Sequence, residues 1–282
     1  MANNGSSSGV VPAVDTSAAA PEQAEEFNPL EMLMQMAAAA AQEEGPPQAA
    51  EEPAEPEVDY NKPLEDGQDG FTVYTTPEQA SAALGLGNGG EADQWSKKLT
   101  ANQLQGVKMY TDGYYSDMNN WMRMLTTEIS GSTQAKISSL QHALDKYDLK
   151  QPIVTHRGMG PEILGLKANA STSQIVKRVK SLISNGIDIT DYGFSSSGAA
   201  SNKAWPKKVV IHTQTPAGKG IGAFVAGQSE FKTENEFLYN SGTHFQPLGV
   251  YVVGNTVHIN ARWAGRDKST NGAKHILEAP PF

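Results

Sequence analysis

Charge is segregated along this chain, and the segregation limits where a folded body can lie. Of its 31 acidic side chains, 18 fall in residues 1 to 95, where Lys62 is the single basic group, and the remainder holds 13 acidic and 21 basic. The overall charge of -9 therefore joins a strongly acidic segment to a mildly basic one. The acidic segment is rich in Ala, Pro, Glu and Gly and poor in large apolar groups, so it buries too little to offset the entropy of ordering it. This composition predicts a disordered acidic arm over 1–95 and one globular body over 96–282. Within the arm, Phe27 to Met36 and the alanines to Ala41 read as a short helix with Leu30, Leu33 and Met34 on one face, a docking peptide of marginal stability.

Several classes of function are excluded at this level. With no cysteine there is no disulfide, thiolate metal site or thiol nucleophile. The first residues lack the basic start and apolar core of a secretion signal, and no window approaches the roughly 20 apolar residues of a membrane span. No membrane partner is expected. His142, His156, His212, His244, His258 and His275 show no paired metal-ligand spacing, so no metal is expected. The basic excess forms no dense cluster or known motif, which argues against specific nucleic-acid binding. Gly85-Leu-Gly-Asn-Gly-Gly90 fits a dinucleotide fingerprint only loosely, has no apolar strand before it, and reads as a linker.

Beyond residue 95 the apolar pattern is helical first. Thr100-Ala-Asn-Gln103 is a capping box ahead of Leu104, Val107 and Met109. A second helix runs from Ser116 with Met118, Trp121, Met122 and Leu125 inward, and a third carries Ile137, Leu140 and Leu144. Ser171-Thr-Ser-Gln174 caps a helix over 173–184. Strands are predicted from Ile153 and over 208–213, 234–239, 245–253 and 257–261, with Gly254-Asn255 as a hairpin turn. Helices followed by strands without β-α-β alternation indicate an α+β fold.

Three stretches carry candidate chemistry. Arg157 ends an apolar strand, where its planar fork suits phosphate, and Gly158 beside it admits a ligand close to the backbone. Asp191-Tyr-Gly-Phe-Ser-Ser-Ser-Gly198 offers three hydroxyls that donate and accept. In Glu234-Asn-Glu236, two carboxylates two apart on a strand would share one face, roughly 7 Å from each other.

The order Arg157, Ser196, Glu236, with its near-equal spacing, resembles the arginine, Ser-Thr-Ser and Glu-x-Glu pattern of toxin-like mono-ADP-ribosyltransferases, and is most similar to phage-encoded members. Ser116-Asp-Met-Asn-Asn-Trp-Met-Arg123 looks like that family's Asn-x-x-Leu-Arg helix, with Met122 in place of leucine. Phe231-Lys-Thr-Glu-Asn-Glu236 looks like its aromatic-x-x-Glu-x-Glu loop. The resemblance spans roughly 100 to 262. It implies N-terminal helices on two antiparallel β-sheets around an NAD cleft, with NAD as substrate. By the same resemblance, Asn119, Arg123, Arg157, Gly158, Ser195, Ser196 and Ser197 bind NAD, and Ser196 orients Glu236. Glu236 then stabilises the ribose cation, Glu234 activates the acceptor, and Phe231 lines the acceptor site. A glutamate at 234 implies an arginine acceptor on a protein. A NAD glycohydrolase would need Glu236 without Glu234. A packaged virion component with a silent site, tethered to a phage head through the acidic arm, is a further alternative, and placement in the virion or host cytoplasm follows from it.

Overall fold

Capping residues set where the helices begin. Thr100 and Ser171 accept hydrogen bonds from the backbone N–H groups of Gln103 and Gln174, whose side chains reach back to the caps, satisfying two orphan donors at each start. The computed structural model describes residues 58–205, 207–229 and 231–267. Its α-helices are α1 (Pro77–Ala83), α2 (Glu91–Lys97), α3 (Ala101–Met109), α4 (Tyr115–Met122), α5 (Gly131–Leu144) and α6 (Thr172–Ser184). Its strands are β1 (Asp148–Leu149), β2 (Ile153–Met159), β3 (Ile189–Asp191), β4 (Ser195–Gly198), β5 (Val209–Thr215), β6 (Gly218–Lys219), β7 (Gly222–Phe224), β8 (Glu236–Tyr239), β9 (Thr243–Val253) and β10 (Thr256–Arg266). Among the described residues no helix is long and apolar enough to cross a membrane.

The α+β architecture is as expected, with one modification. Eight strands form a continuous sheet in the order β3-β9-β10-β5-β2-β4-β8-β7, and β1 pairs with β6 apart from it. β10 and β5 run parallel, which makes the sheet mixed. The two expected sheets survive as halves: β2 and β4 are joined by a single residue pair, His156 opposite Gly198. One ladder pair is a weak seam, and the cleft described below lies against it.

Burial follows side-chain period. In α6, Ile175, Val179 and Leu182 recur at helical spacing and are buried where the helix meets β9 and β10, each contributing roughly 1.5–3 kcal/mol of transfer energy. An aromatic chain crosses from the helices into the sheet. Trp95 meets Tyr147 edge-on at 5.7 Å, Tyr147 meets Phe237 at 6.3 Å, and Tyr239 bridges Phe237 and Phe245 at 5.1 and 5.3 Å. Such edge-to-face contacts add about 0.5–1.5 kcal/mol each beyond area burial. They also fix β8, which starts at Glu236.

Three expectations require correction. Residues 58–95, assigned by composition to the arm, belong with the folded body. Tyr74, Ala80, Leu84 and Trp95 are core residues, and Thr72 and Tyr74 bridge to Ile153 and Ala200. Averaging over 95 residues hid a local signal, since Thr76-Pro-Glu-Gln79 is itself a capping box with proline at the first turn. The glycines of 85–90 are likewise a fixed turn, because the Asp93 carboxylate accepts from the N–H groups of Gly87 and Gly89. Leu125, expected on the inward stripe of α4, lies past its end and is 70% exposed. The Leu30, Leu33 and Met34 face lies outside the described residues.

One buried charge ties the layers together. Asp191, at the end of β3, is 1% exposed and accepts from Arg123 Nε and Nη2 at 2.8 and 2.9 Å and from Arg157 Nη1 at 2.9 Å. Burial alone would raise its carboxyl, and the two guanidinium groups outweigh that and hold it below the ordinary value. Asp191→Ala leaves both arginines without their counter-charge, so it should lower stability by about 3 kcal/mol, read as a fall in Tm by thermal denaturation. An unchanged Tm would show that the pairs contribute nothing net.

Candidate active site

Strand register builds the site. β4 and β8 run antiparallel with Ser196 opposite Leu238 and Gly198 opposite Glu236. Opposed residues share a face, and so do residues two apart, which puts Ser196 diagonally beside Glu236. Gly198 carries no side chain to separate them, and the Ser196 hydroxyl is near enough to the Glu236 carboxylate to favour its charged form. Glu236 is 5% exposed. Its burial pushes the carboxyl up to about 7, the Ser196 hydroxyl and Arg157 pull it down, and the charge of Glu234 pushes it further up.

Glu234 is placed differently from expectation. It ends a 3-10 turn over Lys232–Glu234, and Asn235 takes a left-handed φ of 55° before the strand begins. That residue breaks the alternation, so the two carboxylates do not project from one strand face. Both still line the same cleft, of about 590 Å³, a volume suited to a small-molecule or cofactor ligand. Burial raises the Glu234 carboxyl above its ordinary value.

The cleft also takes in Asn119, Arg123, Arg157, Gly158, Ser196, Ser197 and Phe231. Of the expected site residues, Ser195 alone is turned away from it. Ser195 is fully buried, donating to Asp191 at 2.7 Å and accepting from Arg157. Asn119 is committed to the backbone of the serine motif: Phe194 N–H donates to its Oδ1 at 2.8 Å and its Nδ2 donates to Phe194 O at 3.2 Å. Gly158 is required by the chain itself, since a Cβ there would lie 1.8 Å from the Trp205 carbonyl oxygen. The two arginines give Asp191 only part of their donors. A guanidinium has five N–H groups, so each can also donate into the cleft.

Sequence reasoning missed Asp191 as the organiser of both arginines, although it stands four residues before Ser195 in the stretch singled out. An acidic group beside two arginines expected to bind one anion was the available signal. It also assigned nothing to Lys203, Trp205 and Lys207, and all three line the cleft. The histidines held another surprise. Register sets His156 opposite His212, with ring nitrogens 2.7 Å apart, and His212 reaches His258 at 2.9 Å. Burial pushes His156 down to about 4, which leaves it neutral. Among the described residues no group of three or more His, Asp or Glu is arranged to hold a metal ion.

Comparison with known proteins bears on the family and the fold. The ADP-ribosyltransferase exoenzyme family model matches residues 88–277. The chain is 25% identical over 175 residues to NAD(+)–arginine ADP-ribosyltransferase EFV of Enterococcus faecalis, a match covering 60% of this chain and 32% of that protein. It thus spans about a third of the length of that curated relative. Among solved structures it resembles BECa, an ADP-ribosylating toxin of C. perfringens solved with NADH, with a TM-score of 0.57, 23% identity, and coverage of 68% of this chain and 50% of that one. It also resembles the C3 exoenzyme of Clostridium limosum, with a TM-score of 0.56, 18% identity, and coverage of 70% and 99%. At these identities the structures establish the fold. Together with a family match over two thirds of its length, they show that this chain belongs to the ADP-ribosyltransferase exoenzyme family.

Proposed function

We propose that this protein cleaves NAD between nicotinamide and ribose and transfers the ADP-ribose to an arginine side chain of a protein acceptor. The observation that carries this reading is the convergence of Arg123, Arg157, Ser196, Glu234 and Glu236 on one cleft. The name of the enterococcal relative supports arginine as the acceptor. The site's chemistry suits the substrate, since two guanidinium forks match a diphosphate and a carboxylate beside a hydroxyl matches a ribose.

As the C1′–N bond breaks, nicotinamide leaves with the electron pair and positive charge grows on the ribose. The Glu236 carboxylate opposes that charge and holds the 2′-hydroxyl, an interaction stronger in the transition state than in the ground state. Ser196 fixes which way the carboxylate points. Arg123 and Arg157 hold the diphosphate, with Asp191 setting the angle of both. A guanidine nitrogen of the acceptor then attacks C1′ and gives its proton to Glu234, the more accessible carboxylate. Phe231, exposed at the rim, meets the acceptor. Ser195 serves by holding Arg157, and Asn119 by holding the motif that presents Ser196. We place the start of the catalytic body at residue 58 rather than 96, since Tyr74, Ala80, Leu84 and Trp95 belong to its core. A tether to a virion through the acidic segment concerns residues outside the described ones.

Two substitutions separate the roles. Glu236→Gln should lower nicotinamide release and acceptor labelling together, by roughly 10²- to 10³-fold, the scale of single electrostatic groups. Glu234→Gln should abolish labelling while nicotinamide release persists. Full labelling of arginine by Glu234→Gln would refute its role, and wild-type nicotinamide release without any labelled protein would favour the glycohydrolase.

The pH profile tests Glu236 separately. Its ionised form is the active one, and its carboxyl lies at about 7, so kcat/KM for NAD should rise as pH passes through about 7. Because the charge of Glu234 raises that value, Glu234→Gln should move the midpoint of nicotinamide release to lower pH. A midpoint unmoved or moved upward would contradict the coupling.

A further inference from the structure

The segment ahead of the family match is tied to β2 and to the residues flanking β4 and β8. The family match begins at residue 88, yet Thr72 bridges to Ile153 at the start of β2 and Tyr74 to Ala200 just past β4. Val154 N–H donates to Thr72 O at 2.8 Å, and Ser201 N–H to Tyr74 O at 2.8 Å. The chain then enters α1, which buries Ala80 and leads into the fully buried Leu84. Pro77 and Ser81, one helical turn apart on α1, share a face, and that face meets the loop between the two glutamates. Asn235 Nδ2 donates to Pro77 O at 3.1 Å and to Ser81 Oγ at 3.0 Å.

Asn235 is fully buried. Its backbone oxygen accepts from Ala199 N–H at 2.9 Å, which ties it to the end of the serine strand. Its φ of 55° is a conformation that few side chains other than Asn, Asp and Gly adopt without strain. The two sides of this residue are held unequally. Glu236 sits in a strand paired on both edges, whereas Glu234 hangs on a single 3-10 turn closed by its N–H to Phe231 O at 2.9 Å. The side-chain anchor to α1 holds the same residue from the helical side.

Resting on the function proposed above, we propose that Asn235 is a positioning residue for transfer and that α1 is its support: the Asn235 clasp on Pro77 and Ser81 holds Glu234 at the distance from Glu236 that an attacking guanidine needs. A segment outside the family match thereby decides how the cleft divides its intermediate between acceptor and water. The clasp leaves NAD binding and Glu236 chemistry largely to the strands.

The test uses full-length protein with NAD and agmatine, a small guanidine, as acceptor. Asn235→Gly tolerates the left-handed φ and removes the clasp. Ser81→Ala removes one acceptor from outside the cleft, and Ser81→Thr keeps the hydroxyl. Asn235→Gly should lower kcat for agmatine labelling ten- to a hundredfold, the order of loss from a displacement of ~1 Å. Its NAD KM and nicotinamide release in the absence of acceptor should change little. Ser81→Ala should lower the transfer-to-hydrolysis ratio in the same direction, and Ser81→Thr should restore it. Tryptic cleavage after Lys232, which needs no activity, should speed up in Asn235→Gly and Ser81→Ala. Wild-type ratios in both variants would overturn the proposal, as would a parallel fall of both activities with folded fraction, which would mark a structural role only. If wild-type protein releases no nicotinamide, the proposed function fails, and the proteolysis rates still decide whether α1 holds the turn.

Discussion

The arrangement of this molecule depends on one buried carboxylate. Asp191 brings together an arginine from the helical layer and an arginine from the sheet. Without it two guanidinium groups would repel each other in a half-buried space. With it they are held as a pair of oriented donors whose desolvation cost is already met, and the proposed function uses that pair to hold the diphosphate. Its partner Ser195 is part of the serine strand, so the same carboxylate also registers β4. Placement of Ser196 beside Glu236 follows from that register.

The sheet's weak seam and the aromatic chain act in opposite senses. A single pair joins β2 to β4, which leaves room for a ligand at the junction. The contacts from Trp95 through Tyr147 to Phe237 and Tyr239 keep the three-stranded half from drifting. Aromatic packing is therefore concentrated behind Glu236, whereas Glu234 and Phe231 lie on the turn ahead of that strand. This division matches the demands of the chemistry: bond cleavage needs a fixed charge, while the acceptor must approach from outside.

Much of this was legible in the sequence, and the exceptions have physical reasons. Capping boxes at Thr100 and Ser171 and the stripe of Ile175, Val179 and Leu182 located helices because these signals are local. Arg157, Ser196 and Glu236 were placed together only through their resemblance to a known family pattern, since spacing alone does not say which strands meet. Thr76-Pro-Glu-Gln79 carried an equally local signal, but the acidic composition around it outweighed four residues. The face of Glu234 was misjudged because a strand was extended through Asn235, whose left-handed backbone no alternation pattern reveals. Asp191 and the contact of His156, His212 and His258 depend on pairing between distant strands, which single-sequence periodicity does not encode.

The most direct test of the central claim is a crystal structure of Glu236→Gln, full length, with NAD bound. The account requires the diphosphate within hydrogen-bond reach of Arg123 and Arg157 and the nicotinamide ribose against residue 236 and Ser196. A dinucleotide seated elsewhere on the protein, or one in this cleft with its ribose turned away from residue 236, would contradict it.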